Sequence, residues 1–255
     1  MPVSVVVRCI SREKLFCGVL DRLTHQTVAP SEILIVMDSY SGAEVEYVSR
    51  CLEEYPNTKL ITFEHENFSH PFSVNLGMHF SEEELVCITN GHSLPTSLKW
   101  LERGLNHFTD EGVAAVSGFF FPSDRGFGRA LFHLVEVQMH LISTISTMNC
   151  IIRRSRWEEY PFNEDLLRTI PETKKYGGED YDWTLEMVSR GHKIVLDPDF
   201  SIVHVHKKDI INEIFRNTRS YFTYKKLQEK IKRLKRPSKA SKFTSKKSSV
   251  DLTKD

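Results

Sequence analysis

The chain has 255 residues, 40% of them hydrophobic and 27% charged, which is enough apolar material for one large domain without a disulfide or metal staple. Its 34 Lys and Arg balance 34 Asp and Glu, and no apolar run reaches the roughly eighteen residues a membrane-spanning helix needs. Five cysteines (Cys9, Cys17, Cys51, Cys87 and Cys150) are scattered without a Cys-x-x-Cys pair and read as reduced thiols of a cytoplasmic protein.

In chain order, Val3–Val7 is a β-branched run that predicts a strand buried on both faces. Arg8 and Arg12 follow too closely for the N-terminus to be a signal peptide. Helical spacing of Leu15, Phe16, Val19, Leu20 and Leu23 predicts a helix over Glu13–His25, and Glu32–Met37 is a second buried strand ending at Asp38. Ala43–Glu54 predicts a helix, Lys59–Phe63 a third strand, Phe72–His79 a helix, and Glu84–Thr89 a fourth strand ending at Asn90. Alternation at this spacing predicts an α/β domain with a mainly parallel sheet. Ligands of such sheets lie beyond the carboxyl ends of the strands, which here hold Arg8, Asp38 and Asn90-Gly91-His92.

Further along, Leu98–Phe108 predicts a helix, Val113–Phe121 and Asn149–Arg153 strands, and Trp183–Arg190 a helix. Arg129–Thr147 is a long apolar-periodic segment whose His133, Glu136, Gln138 and His140 exclude a membrane span. Lys193–Leu196 and Ile202–His206 predict two short strands that close the globular part. Charge is then strongly asymmetric: residues 207–255 carry 16 Lys and Arg against 5 Asp and Glu, and residues 1–206 carry 18 against 29. An acidic body with a basic tail is a statement about partners rather than about fold.

A dinucleotide-binding turn needs glycines directly after the first strand; Arg8-Cys9-Ile10-Ser11-Arg12-Glu13 has none, and no Walker A sequence occurs. What the chain does have is an ordered series. Ser4-Val5-Val6-Val7-Arg8, Arg12-Glu13-Lys14-Leu15, Gln26-Thr27 and Glu32-Ile33-Leu34-Ile35-Val36-Met37-Asp38-Ser39 resemble the opening of family 2 glycosyltransferases of the GT-A fold. Asn75-Leu76-Gly77, Asn90-Gly91-His92-Ser93-Leu94-Pro95, Asn149 to Arg153, Trp157, Phe162-Asn163-Glu164, Gly178-Glu179-Asp180 and Arg190-Gly191-His192 continue it in the family's order. The fold expected is α/β and GT-A-like, a Rossmann-type, mainly parallel sheet flanked by helices over residues 1–209. A basic amphipathic helix (210–236) and a disordered Lys- and Ser-rich tail (237–255) are expected to follow.

The resemblance implies an inverting glycosyltransferase that moves a sugar from a nucleotide-diphosphate donor to an acceptor hydroxyl, in glycan or polysaccharide biosynthesis. A catalytically silent relative that binds a sugar nucleotide or glycan is the alternative. A nucleotidyltransferase that makes sugar nucleotides is disfavoured by the missing Gly-rich phosphate loop. Asp38 is implied to accept hydrogen bonds from the base or ribose, although a strand-end aspartate is also an ordinary turn residue. Arg8 is implied to contact the nucleotide or its phosphates.

Asn90-Gly91-His92 stands where most relatives carry an Asp-x-Asp pair that holds a divalent cation, Mn or Mg. The resemblance makes Asn90 and His92 nucleotide-sugar contacts, with His92 and the late His206 as candidate metal ligands. Imidazole suits Mn better than Mg, and the lost carboxylate weakens the case for a cation. His204 and His206 alternate on a strand and so share a face, His206 being preferred.

Glu179 and Asp180 follow Gly177-Gly178. The plain structural reading is capping, since acidic residues favour a helix start. The resemblance makes Asp180 the general base and Glu179 the residue that orients the acceptor, with Asp182 the competitor for either role. Trp157, Tyr160 and Trp183 are candidates for stacking on an acceptor ring, and Phe119-Phe120-Phe121 reads as core.

In the tail, Ile210–Leu234 has an apolar stripe and a crowd of Lys and Arg. That pattern suits either packing on the body or peripheral association with the inner face of a membrane, where a lipid-linked acceptor would be met. No nucleic-acid partner is expected, because no recognised module is present.

Overall fold

The computed structural model describes residues 1–9, 15–38, 42–64, 69–121, 144–169, 178–204 and 225–229. Four parallel strands form one half of an eight-stranded sheet: β1 (Ser4–Cys9), β2 (Glu32–Asp38), β3 (Thr58–Phe63) and β4 (Leu85–Asn90), in the order β3-β2-β1-β4. They are joined by α1 (Phe16–Thr24), α2 (Gly42–Leu52) and α3 (His70–Phe80).

Beyond β4 the sheet turns antiparallel. There β7 (Asn149–Arg153) lies between β4 and β6 (Val113–Phe121), antiparallel to both. Strand β8 (Lys193–His204) runs parallel to β6, and β5 (Ser93–Pro95) closes the edge antiparallel to β8. The helices of this half are α4 (Trp100–Leu105), α5 (Arg154–Glu159), α6 (Leu166–Thr169) and α7 (Glu179–Ser189). Residues 225–229 are helical (α8). The fold is therefore the expected α/β one, a mostly parallel sheet with some antiparallel strands and flanking helices.

Alternation within the strands divides the core in two. Val3, Val5, Val7, Ile33, Ile35 and Met37 face Phe16, Val19, Leu20 and Leu23 of α1, Val48 of α2 and Trp100 and Leu101 of α4. Val6, Leu34, Val36, Val86 and Ile88 face Val74 and Met78 of α3, with Trp157, Phe162 and Trp183. Strands covered on both sides have no polar alternation, which is why these runs are continuously apolar. Helix α3 lies directly on β1 because Gly77 leaves room: a Cβ there would overlap the Val6 side chain. Asn75, one turn earlier, is a staple. It donates to Phe162 O (2.8 Å) and Glu164 Oε1 (2.7 Å) and accepts from Trp157 Nε1 (2.9 Å) and Phe162 N (3.0 Å).

Several expectations change. The two strands expected at the end of the domain are one continuous β8, whose register with β6 shifts between Gly118 and Phe120. Ser93–Pro95, to which the sequence assigned no element, is a short strand because β8 offers it an edge. Helix α7 begins at Glu179 rather than Trp183, so the acidic residues sit inside its first turn. Cys17 and Cys51, read as reduced thiols, form a disulfide with Cα atoms 6.0 Å apart. Their separation of 34 residues hid the pairing, because it depends on α1 and α2 packing on the same face of the sheet; Cys9, Cys87 and Cys150 are free and buried.

Most of the apolar-periodic segment Arg129–Thr147 and of the expected helix Ile210–Leu234 lies outside the described residues. Within the latter, Leu227 is buried against Leu166, with Tyr181 and Leu185 of α7 beside it. Among the described residues no helix is long and apolar enough to cross a membrane.

Gly118 sets the closeness of β6 and β8. A Cβ at this position would overlap the Phe200 carbonyl and press on Asn149 Nδ2. Gly118→Ala is therefore expected to destabilise the protein by about 1–3 kcal/mol or more, read as a lowered midpoint in denaturant unfolding; an unchanged midpoint would show that the two strands can part freely.

Candidate functional site

The in-register partners of β1 locate the site. Arg8 is opposite Val36 on β2 and Asn90 on β4, so Arg8, Asn90 and Asp38 all point to the sheet face covered by α3 and α7. Arg8 is 5% exposed, and a guanidinium stays charged at any accessible pH, so it must be held by partners. Its Nη2 donates to Asn90 Oδ1 (3.0 Å), Thr147 O (3.0 Å) and Thr147 Oγ1 (3.2 Å). Its Nη1 meets His70 Nδ1 at 3.3 Å.

His70 opens α3, whose start is fixed by the Ser69 hydroxyl accepting from Phe72 N–H (3.4 Å) and by Pro71 in the first turn. Burial, aided by the charge on Arg8, lowers the His70 pKa to about 4. The imidazole is thus neutral at pH 7, and Nδ1 accepts from Arg8.

The second wall is the head of α7. Gly178 precedes it with φ of 127°, a backbone conformation that other residues adopt only under strain. Glu179 and Asp180 then occupy the first turn, where unpaired N–H groups favour carboxylates. Glu179 is buried. Asp180 is partly buried and accepts from Thr147 N–H at Oδ2 (3.2 Å). Its Oδ1 is sealed from solvent and accepts no hydrogen bond among the described residues.

Burial, followed by the neighbouring Glu179, raises Asp180 to about 7, against the pull of Arg8 and of the hydrogen bond from Thr147 N–H. Burial also raises Glu179, against backbone hydrogen bonds and Arg8. Asp182, the competitor, is elsewhere: two helix positions from Asp180 it faces another direction, is 2% exposed, and accepts from Tyr160 OH (2.7 Å).

Asp38 ends β2 at 5% exposure, and its Oδ1 is likewise buried without a hydrogen bond among the described residues. After Asn90 the chain reverses into β5, and the His92 ring packs on that of His204 at 4.4 Å between centroids. His204 is 2% exposed and its Nδ1 is bonded to Ser93 Oγ (2.9 Å). The histidine set beside His92 is thus His204, and His206 lies outside the described residues.

These residues do not fit the carboxylate-pair cation site that the resemblance implies. Asn90 brings a neutral amide whose oxygen already accepts from Arg8. Among the described residues no group of three His, Cys, Asp or Glu side chains is placed to hold a metal.

Of the aromatic candidates, Trp183 is fully buried and stacks on Phe162 (5.8 Å), and Trp157 is buried with its Nε1 given to Asn75. Both are core residues, not stacking platforms. Tyr160 is partly buried, and its hydroxyl is given to Asp182. Two residues that sequence reasoning passed over, His70 and Thr147, complete the Arg8 cluster. No spacing could have singled them out.

The chain matches the family profile described as Glycosyl transferase family 2 over residues 4–170, more than half of its length. Among solved structures it is similar to the mannosyltransferase PcManGT from Pyrobaculum calidifontis in complex with GDP-Man and Mn2+. That likeness has a TM-score of 0.71 at 18% identity and covers 89% of this chain and 64% of that one. It is also similar to S. aureus TarS 1-349, with a TM-score of 0.61 at 17% identity over 80% of this chain and 60% of that one.

A third likeness is to glucosyl-3-phosphoglycerate synthase from Mycobacterium tuberculosis in complex with Mn2+, UDP-Glc and phosphoglyceric acid. Here the TM-score is 0.61 at 13% identity, over 89% of this chain and 79% of that one. The chain thus spans 64% and 60% of the length of the first two, and at such identities the likeness establishes the fold. No curated protein matches the chain.

The raised Asp180 carboxyl has a consequence for stability. Its pKa of about 7 in the fold stands above the ordinary 3.8, so the stability it contributes is complete below that lower value and is lost as pH rises through about 7. Asp180→Asn is therefore expected to raise the melting midpoint of the ligand-free protein at pH 8, by about 2–4 °C for each kcal/mol relieved. The gap should close as the pH falls towards 4. A less stable Asn variant at pH 8 would show that Asp180 carries no ionisation penalty.

Proposed function

The chain belongs to glycosyl transferase family 2, and on that premise we propose that it transfers a sugar from a nucleotide-diphosphate donor to an acceptor hydroxyl in one inverting displacement. One observation carries the reading: a carboxylate with an unused, sealed oxygen, Asp180 Oδ1, stands near a buried guanidinium at the carboxyl ends of parallel strands. Such a pair places a base on one side of a reacting centre and positive charge on the other, which is what an in-line displacement with an anionic leaving group requires. The donors named in the similar structures, GDP-Man and UDP-Glc, belong to this class.

In this reading Asp38 Oδ1, buried and without a hydrogen bond among the described residues, accepts from the base or ribose of the donor. Arg8 and His92 face the diphosphate, and Asn90 holds Arg8 in place through its amide oxygen. The acceptor oxygen attacks the anomeric carbon while its proton passes to Asp180. As the new C–O bond forms, the bond from that carbon to the diphosphate oxygen breaks, and its electron pair leaves on the diphosphate. Glu179 orients the acceptor side. Because the described residues do not fit a carboxylate-anchored cation, no step is routed through a metal. His92 and His206 remain the metal ligands proposed from the sequence.

The acceptor is proposed to be a glycan or lipid-linked hydroxyl. The excess of Lys and Arg over residues 207–255 supports approach to an anionic surface. The burial of Leu227 against the body supports a helix that spends part of its apolar stripe on packing. We propose the division into a catalytic body (1–209), a basic helix (210–236) and a tail (237–255) on the same grounds.

Two variants separate donor binding from chemistry. Asp38→Ala is expected to weaken nucleoside diphosphate binding by roughly tenfold or more, the worth of a hydrogen bond to a charged group, in a calorimetric titration; unchanged affinity would remove Asp38 from the donor site.

Asp180→Asn keeps the volume and most of the hydrogen-bonding capacity but cannot take a proton. It is expected to lower turnover by about 10²–10⁴-fold while nucleotide affinity is kept. In the wild type, kcat/KM should rise with pH through about 7, since the base must be ionised to act and its carboxyl titrates there. Near-normal turnover by the Asn variant would end the assignment of Asp180 as base. Nucleotide binding without any transfer by the wild type would favour a silent sugar-nucleotide-binding relative.

A further inference from the structure

Helix α7 carries Asp180 in its first turn, and each of its faces is held by a different element. Trp183 and Met187, one turn apart, pack into the core beneath the helix with Ala115 of β6 and Ile152 of β7. Asp180 and Thr184, also one turn apart, accept from the N–H groups of Thr147 and Ile145, both at 3.2 Å. Asp182 accepts from Tyr160 OH at 2.7 Å. Residues spaced by four share a helix face, so one stripe remains, formed by Tyr181 and Leu185. At about 100° per residue that stripe lies opposite Trp183 and Met187, on the side of α7 turned away from the sheet.

The cover for this outer stripe comes from two places. One is Leu166 of α6, 4% exposed; the other is Leu227 of α8, fully buried with it against Tyr181 and Leu185. Lys225, Lys226 and Glu229 of α8 are exposed, so Leu227 is the apolar anchor of that helix. Burying the stripe removes apolar surface from water and presses α7 onto the sheet from outside. Tyr181, which meets this anchor, directly follows Asp180 in the chain.

Resting on the reading of Asp180 as the base, we propose that Leu227 is a positioning residue. By docking α8 on Tyr181 and Leu185 it fixes the first turn of α7, and with it the Asp180 carboxylate. The C-terminal helix is then a strut of the catalytic wall, and the catalytic unit extends past residue 209 to include it. Proton transfer during an in-line displacement tolerates little displacement of the base. The proposed donor contacts Arg8, Asp38 and His92 stand on β1, on β2 and after β4, outside the cluster around Leu227. Loss of the anchor therefore bears on turnover and spares donor binding.

The test uses the full-length chain and compares Leu227→Ala, which empties the anchor, with Leu227→Met, which nearly keeps its volume. Leu227→Ala is expected to lower kcat by about 10–10²-fold with the KM for the nucleotide-sugar donor unchanged. The Met variant should return kcat towards wild type. Leu185→Ala removes the other side of the same contact. The double variant Leu185→Ala/Leu227→Ala should therefore be no slower than the slower single one; additive losses would show that the two leucines act separately and overturn the proposal.

Amide hydrogen exchange of the ligand-free protein reads the docking without activity. In Leu227→Ala, exchange across α7 should quicken by about tenfold or more, while β1 and β2 keep their protection. Unchanged exchange across α7 overturns the proposal. So does exchange that quickens equally in α7, β1 and β2, or a Leu227→Ala chain that does not fold, either of which would make Leu227 a stability residue of the whole body. Faster α7 exchange with full turnover overturns it too, provided that Asp180→Asn is slow. If Asp180→Asn also turns over normally, α8 still holds α7, and the reading of Asp180 as the base is what fails.

Discussion

A permanent positive charge, removed from water at the end of the central strand, is the constraint around which this protein is arranged. Arg8 is 5% exposed, and a guanidinium so placed is tolerated only where partners replace its hydration. The strand supplies none of them. One comes from β4 (Asn90), one from the first turn of α3 (His70) and one from the turn before β7 (Thr147). Each partner is neutral: an amide, a hydroxyl with a carbonyl, and an imidazole whose pKa falls to about 4. None of these hydrogen-bonding partners cancels the charge, so its field extends into the space beyond the strand ends. There it stabilises the ionised carboxylates of α7 and is available to an anionic ligand.

The same region carries a cost in stability. Two adjacent carboxyls in the first turn of α7 are both raised by burial, and Asp180 titrates near 7 rather than near 4. Capping the helix would have been served equally well by solvent-exposed acids with ordinary pKa values. Burying them, with Oδ1 of Asp180 without a hydrogen bond among the described residues, costs folding free energy, and that environment is what supports the proposal of Asp180 as a base. Asp182 has the contrasting environment. It is engaged by the Tyr160 hydroxyl and ties α7 to the segment after α5.

Much of the outer frame is explained by packing alone. Asn75 and Gly77, which belong to the series of motifs shared with glycosyltransferases, act through hydrogen bonds to the Phe162 backbone and through the close approach of α3 to β1. Asn149 does the same inside the sheet, donating to Phe119 O and Phe200 O and accepting from Trp100 Nε1. These side chains reach the site only by holding its walls at fixed spacing.

The sequence alone determined the strands, their buried character and the residues at their carboxyl ends, because continuous β-branched runs and the alternation of side chains are local properties. It also placed two carboxylates at a helix start, since glycines followed by acids are a local signal. It could not place Thr147 against Arg8, 139 residues away, or bring Cys17 to Cys51, or set His204 rather than another histidine against His92. Nor could it show that Asp180 and Asp182 meet different partners, Thr147 N–H and the Tyr160 hydroxyl. Those outcomes rest on hydrogen bonds and ring contacts of a few ångströms between separate elements. Only the packing of helices on both faces of the sheet fixes such distances, and no period in the chain encodes them.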